Sequence, residues 1–154
     1  MKTIIVYYSY SNNTKQIAEK IKNKLNCDIL ELKPTIPFSE DYQTVVDEYQ
    51  NNESEKKIVE IENININLDN YDKIILGTPV WWYTITPVIR AFLKKYDLKN
   101  KEIYPFATNA GWLGRTFKEI KEICNGNIKE ELSVKFENKN LLNEQELDSW
   151  IKNI

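Results

Sequence analysis

The feature that most narrows the folds open to this chain is a fivefold alternation of short strand-like runs with stretches of helical period. Ile4-Ile5-Val6-Tyr7-Tyr8 is apolar at every position, without the polar alternation of a strand that keeps one face in water. Such a strand is buried on both faces, as in a parallel sheet covered by helices. After Ser9-Tyr10-Ser11-Asn12-Asn13, the residues Ile17, Ala18, Ile21 and Leu25 recur at helical spacing with lysines between them. Residues 27–32 read as a second strand, closed by Pro34 and Pro37. Ser39, Glu40 and Asp41 then make a helix start, since side-chain oxygens and negative charge both favour the unpaired N–H groups of a first turn. Tyr42, Val45, Val46 and Tyr49 carry that helix on.

Residues 50–70 are rich in Asn, Glu and Lys, and Ile64-Asn65-Ile66-Asn67-Leu68 within them reads as a packed loop rather than an edge strand. Lys73-Ile74-Ile75-Leu76-Gly77 is the third strand, followed by the turn Thr78-Pro79-Val80-Trp81-Trp82-Tyr83. Thr86-Pro87 opens the next helix with a hydroxyl cap and a proline at the first helical position; Val88, Ile89, Phe92, Leu93 and Tyr96 form its apolar face. Residues 102–108 form the fourth strand despite Pro105, which has no N–H to give a central ladder. The turn Asn109-Ala110-Gly111-Trp112-Leu113-Gly114 leads to a helix carrying Phe117, Ile120, Ile123 and Cys124, stopped at Asn125-Gly126. A fifth strand lies within residues 128–136, and a last helix opens at Asn143, with Glu146 three residues on in a capping-box pattern. The expectation is one α/β domain over residues 1–154, its parallel sheet lying between helix layers and its ligand held outside the carboxyl ends of the strands.

Composition removes most other chemistries. The 21 basic and 23 acidic side chains leave a net charge of -2, which provides no field for a nucleic-acid partner. No apolar run approaches the roughly 18 residues that a membrane span needs. The absence of histidine excludes Ser-His and Cys-His nucleophile pairs and the commonest transition-metal ligand. Cys27 and Cys124 lie far apart without a CxxC spacing, as unpaired thiols of a reducing compartment do. Met1-Lys2-Thr3 runs straight into the first strand without a signal-type segment, so a cytoplasmic protein, favoured as a monomer, is expected.

Three turns hold the chemistry. The first, Ser9-Tyr10-Ser11-Asn12-Asn13-Thr14, sets hydroxyls and amides at a helix N-terminus, where backbone N–H groups lack intrahelical partners and attract an anion. Asn12 and Asn13 also tolerate the left-handed backbone of a phosphate-binding nest. Three of the four tryptophans, Trp81, Trp82 and Trp112, fall in the second and third turns, so a flat ligand stacked on indole is expected there. Gly77, Gly111 and Gly114 fall in or beside these turns, at positions that suit close backbone approach to a ligand or a positive φ.

The runs Val6-Tyr7-Tyr8-Ser9-Tyr10-Ser11-Asn12-Asn13-Thr14, Leu76-Gly77-Thr78-Pro79-Val80-Trp81-Trp82 and Pro105-Phe106-Ala107-Thr108-Asn109-Ala110-Gly111, with Gly114-Arg115, resemble the flavodoxins. They are most similar to a short flavodoxin-like branch with a double tryptophan in the second loop. The resemblance spans essentially the whole chain. It implies a flavodoxin-like three-layer α/β/α sandwich with a five-stranded parallel sheet in the order 2-1-3-4-5, binding FMN noncovalently. By position, it implies a phosphate held by Ser9, Tyr10, Ser11, Asn12, Asn13 and Thr14, and a ribityl chain lined by Thr78, Pro79 and Val80. Trp81 or Trp82 would cover one ring face, and Thr108, Asn109, Ala110, Gly111 and Trp112 would frame the other side. Two positions depart from the family pattern: Asn12 stands where glycine is usual, and Tyr83, which would narrow the site, stands where close relatives carry glycine.

Two functions follow from that resemblance. The leading one is a low-potential electron carrier working between a reductase and acceptor enzymes, because an apolar aromatic slot without cations disfavours a charged, reduced ring. Asp47, Glu48, Glu53 and Glu55 would form its docking patch. The alternative is an FMN-dependent NAD(P)H:quinone or small-molecule reductase, which the modest net charge favours because it steers partners only weakly. A phosphoacceptor receiver domain shares the strand order but needs carboxylates at strand ends that read Ser9-Tyr10-Ser11 and Gly77-Thr78-Pro79.

Overall fold

The computed structural model describes residues 2–49 and 59–154. Strands β1 (Thr3–Tyr7), β2 (Asp28–Glu31), β3 (Lys73–Pro79) and β4 (Glu102–Asn109) run parallel, with β1 between β2 and β3. The fifth place is taken by two segments, β5 (Asn127–Ile128) beside the start of β4 and β6 (Leu132–Glu137) beside its end. A short β7 (Asn140–Leu141) folds back antiparallel on β6. The expected order therefore holds, while the strand count among the described residues rises from five to seven.

Pro105 explains the interruption. The carbonyls of Lys101 and Ile103 accept from Asn127 and Lys129 (2.8 and 2.7 Å), so odd-numbered residues of β4 direct their polar backbone atoms to the fifth place. Pro105, lacking an N–H, faces the gap at residues 129–131 between β5 and β6. Within the gap the Glu130 carbonyl accepts instead from the buried Trp150 indole N–H at 2.9 Å.

Alternate strand residues feed two cores, as a doubly covered sheet requires. Ile4, Val6, Ile74 and Leu76 pack with Val88, Ile89 and Phe92 of α3 (Pro87–Lys95) and with Phe117 and Ile120 of α4 (Thr116–Ile123). On the other face Ile5, Tyr7, Ile75 and Phe106 meet Ile17, Ala18 and Ile21 of α1 (Asn13–Leu25) and Leu147, Trp150 and Ile151 of α5 (Glu144–Lys152). Lys20–Glu144 and Lys24–Asp148 ion pairs clip α1 to α5. The short α2 (Tyr42–Tyr49) follows β2 and begins at Asp41, whose carboxylate accepts from the Gln43 N–H and the Thr44 hydroxyl.

Several local expectations hold and two change. Thr86 caps α3 through Ile89 N–H at 3.3 Å, and residues 64–67 form a packed loop that runs into a 3-10 turn, Leu68–Asn70, with Leu68 buried. Asn143 does not cap α5. Its amide accepts from Lys135 N–H and donates to the Ser133 carbonyl, both at 2.8 Å, which spends it on the edge of β6. Gly77 approaches the core rather than a ligand: a Cβ there would stand 2.3 Å from the Phe106 ring. Glu53 and Glu55 lie outside the described residues, among which no helix is long and apolar enough to cross a membrane.

Candidate functional site

The carboxyl ends of β1, β3 and β4 bring three turns together around a cavity of about 470 Å³. That size suits a small-molecule ligand, for which sites run roughly 300–1,000 Å³. Tyr10, Ser11 and Asn13 line it from the first turn, and Pro79, Val80, Trp81 and Trp82 from the second. The third contributes Thr108, Asn109 and Ala110.

The first turn is shaped by Asn12, which lies at φ 74° immediately before α1 and makes no side-chain cap. Asparagine takes this left-handed backbone at modest cost, so the missing glycine is absorbed. Ser9 Oγ accepts from the Lys15 N–H at 3.1 Å and steadies the turn from behind. The buried hydroxyls of Thr14 and Thr108 share a 2.7 Å hydrogen bond, which ties the first turn to the third. The α1 N-terminus thus opens on the cavity beside Ser11 and Asn13.

The second turn is a two-residue hairpin. Trp81 N–H and Thr84 N–H donate to each other's carbonyl at 2.9 and 3.1 Å, and the central residues, Trp82 and Tyr83, sit at φ 47° and 68°. Hairpins of this hand favour Asn-Gly or Asp-Gly, because a Cβ is strained at positive φ. Here two aromatic residues occupy it. Tyr83 O accepts from the Arg115 N–H at 2.6 Å. Gly114, at φ 53°, lies so close that a Cβ on it would stand 2.3 Å from both Tyr83 Cβ and its carbonyl oxygen. Trp81 is wedged edge-on among Tyr8, Tyr10, Phe38 and Trp82, with ring centroids 5.1–6.2 Å away. The Tyr10 hydroxyl fixes this group by donating to Ser39 O at 2.7 Å.

Behind the hairpin lies a buried polar cluster. The Thr84 hydroxyl donates to Glu119 Oε1, while Arg90 donates through Nε to Oε2 at 2.5 Å and through Nη2 to Oε1 at 2.9 Å. Burial pushes the Glu119 carboxyl up, but the Arg90 and Thr84 hydrogen bonds outweigh it and hold the group below the ordinary carboxylate range.

Not every expected residue faces the cavity. Thr78 is fully buried and donates its hydroxyl to Pro79 O at 2.8 Å. The Asn109 amide is consumed by Ser133 Oγ, Ala107 O and the Gly111 N–H, so its side chain shapes the third turn. Ser9, Asn12 and Thr14 support the wall without lining it, and Gly111 lies exposed beyond it. Tyr83 and Trp112, 62% and 71% exposed, also stand outside it. Conversely, Tyr42 and Val45 of α2, with Phe136 near the end of β6 and Asn138 just after it, line the cavity unforeseen. The last pair follows the same carboxyl-end rule that singled out the other turns, applied to the fifth strand. Asn138 is joined to the first turn by the Asn13 amide at 3.2 Å.

A doubly wound sheet that sets a helix N-terminus with hydroxyls and amides against a pair of indoles defines a binding protein for a small ligand with an anionic end and a flat end. The chain belongs to the flavodoxin family, whose profile, described as Flavodoxin, matches residues 2–154. The fold is similar to that of a flavoprotein in complex with FMN from Lactobacillus acidophilus NCFM, 28% identical over 97% of each chain, with a TM-score of 0.79. The apo-form of the flavoprotein from the same organism is 27% identical, with 97% of this chain and 96% of that one covered and a TM-score of 0.66. Oxidised flavodoxin 2 from Bacillus cereus shares the fold at 20% identity and a TM-score of 0.58, over 99% of this chain and 94% of that one. No curated protein matches the chain.

Proposed function

We propose that residues 1–154 act as one FMN-binding unit and that the chain is a low-potential electron-transfer protein. The observation that carries this is the cavity itself, with hydroxyls, amides and a helix N-terminus at one end and paired indoles at the other. These residues fit FMN. Ser11, Asn13 and the α1 N-terminus would receive the phosphate, within a turn shaped by Ser9, Tyr10, Asn12 and Thr14. Pro79 and Val80 would line the ribityl chain, and Trp82, with Trp81 behind it, would cover the ring. The backbone of Thr108, Asn109 and Ala110 would frame the opposite side. FMN supplies the redox chemistry when bound. The protein's part is to bind, orient and tune it.

The lining supports a low potential, since none of the described residues around the cavity is charged and an added negative charge would go uncompensated. Asp47 and Glu48 are exposed on α2, the helix whose Tyr42 and Val45 reach the cavity, so a basic reductase or acceptor enzyme would dock beside the ring. One observation favours a second reading, the NAD(P)H-dependent reductase. A further cavity of about 530 Å³ shares Tyr10 with the first, and neither Tyr83 nor Trp112 lines either of them. Titrating the apoprotein with FMN and then adding NADPH without oxygen separates the readings. Submicromolar binding without oxidation of NADPH supports the carrier, rapid two-electron bleaching of the flavin makes the protein a reductase, and absence of binding refutes both.

A further inference from the structure

The double-tryptophan hairpin closes on two backbone hydrogen bonds, but its central residues work against its shape. Trp82 and Tyr83 both occupy the left-handed region, where side chains bearing a Cβ are strained, and Tyr83 is mostly exposed. A turn of this kind persists only where its surroundings over-determine it. Its outer end is pinned by the Arg115 N–H and the Gly114 contact. Its inner end is Thr84, whose side-chain hydroxyl donates to Glu119.

Glu119 is placed to be an anchor. It lies in the first turn of α4, where negative charge is favoured, and is only 8% exposed. Arg90, 6% exposed and one turn into α3, grips both carboxylate oxygens, so the acceptor that meets Thr84 is fixed in two directions by two helices. A buried ion pair adds little net stability over well-packed apolar side chains, and its best-attested use is to select one arrangement among several. Here the arrangement selected is the backbone of the turn that lines the cavity.

We propose that Glu119, held by Arg90, is a positioning residue that fixes the Trp81-Trp82-Tyr83-Thr84 turn through the Thr84 hydroxyl and thereby preorganises the tryptophans for a flat, aromatic ligand. The ligand half of this rests on the FMN reading above; the turn half does not. Thr84→Val removes the hydroxyl, keeps the shape and leaves the Arg90–Glu119 pair intact, while Thr84→Ser restores the donor. In the full chain, Thr84→Val should weaken the apoprotein's near-ultraviolet circular dichroism from the indoles and raise the Kd for FMN by about fivefold or more, and Thr84→Ser should recover both. Trp150→Phe, in the core on the opposite face of the sheet, removes an indole of its own from the spectrum but should cost stability without moving the Kd. Should Thr84→Val fail to fold, the isosteric Glu119→Gln, which loses the charge that Arg90 grips, is expected to shift both signals the same way.

Wild-type values of the Kd in Thr84→Val would overturn the proposal, because the turn would then either move without consequence for the ligand or, if the spectrum is also unchanged, not depend on the hydroxyl at all. A wild-type chain that does not bind FMN would sink the functional reading instead. The indole signal would still judge the turn: its loss in Thr84→Val and recovery in Thr84→Ser would uphold the anchor, and an unchanged spectrum would reject it.

Discussion

Gly114→Ala places a single methyl group where the second and third turns touch, and two separate costs follow. The first is conformational, because Gly114 sits at φ 53° and an alanine there is strained by about 1 kcal/mol. The second is steric: the new Cβ would stand 2.3 Å from Tyr83 Cβ and from Tyr83 O, well inside contact distance. Overpacking of that sort costs roughly 1–3 kcal/mol when the neighbour can retreat. Tyr83 can retreat only by giving up the 2.6 Å bond from the Arg115 N–H, so relief of the clash frees the hairpin. The sum is about 2–4 kcal/mol, which for a chain of this size lowers Tm by roughly 4–16 °C. Thermal melts of the apoprotein followed by far-ultraviolet circular dichroism measure it, and FMN affinity should fall in parallel. A Tm within 2 °C of wild type, a margin of about 0.5–1 kcal/mol, would mean that the two turns are not braced against each other as described.

Three further outcomes test other parts of the account. Trp82→Ala should weaken FMN binding by roughly 5- to 10-fold, the loss of one stacked ring and the area it buries, while Trp112→Ala should leave it nearly unchanged; fluorescence titration of both decides which indole faces the flavin. Because the Glu119 carboxyl is held below its unfolded value, it contributes stability that is complete above the ordinary carboxylate range and is lost as pH falls through the folded value. The Tm gap between wild type and Glu119→Gln should therefore be wide at neutral pH and narrow as pH drops below about 4, and a gap independent of pH would contradict the buried ion pair. Trp150→Phe strips the Glu130 carbonyl of its partner in the strand gap and should cost roughly 1–3 kcal/mol in denaturant melts.

The fold was legible wherever one element's own residues decide its fate. Ile4 to Tyr8 and Ile74 to Leu76 are apolar on both faces because both faces are covered, and Thr86-Pro87 starts a helix by local chemistry alone. Reading failed where a neighbour decides. Pro105 looked like a defect in the fourth strand, yet its missing N–H falls opposite the break between β5 and β6, which only the pairing reveals. Asn143 has the chemistry of a cap but serves the edge of β6, and Gly77 answers to the Phe106 ring. In the site, the three turns announce themselves by composition, whereas Tyr42, Val45, Phe136 and Asn138 enter only because the sheet order brings their elements to the same end. Arg90 and Glu119 gave one faint signal, a charge amid the apolar faces Val88-Ile89-Arg90 and Phe117-Ile120. Sequence alone cannot pair charges that lie on different helices.

The second turn shows where this molecule gives up stability. An Asn-Gly pair at positions 82 and 83 would remove about 1–2 kcal/mol of backbone strain per residue, a sizeable share of the roughly 5–15 kcal/mol by which domains are stable. It would also remove Trp82 from the cavity wall. The neighbouring parts behave as though the strained form were the one to keep. Gly114 makes room for Tyr83, Arg115 holds its carbonyl, and an ion pair buried between α3 and α4 holds Thr84, although apolar packing would be at least as stable there. Strain over-determined from both ends, beside a cavity lined by aromatic rings, is the pattern expected where a site rather than a core sets the backbone. The departure from glycine at Tyr83 is thus compensated within the structure, and the turn is preset for a flat ligand before any ligand arrives.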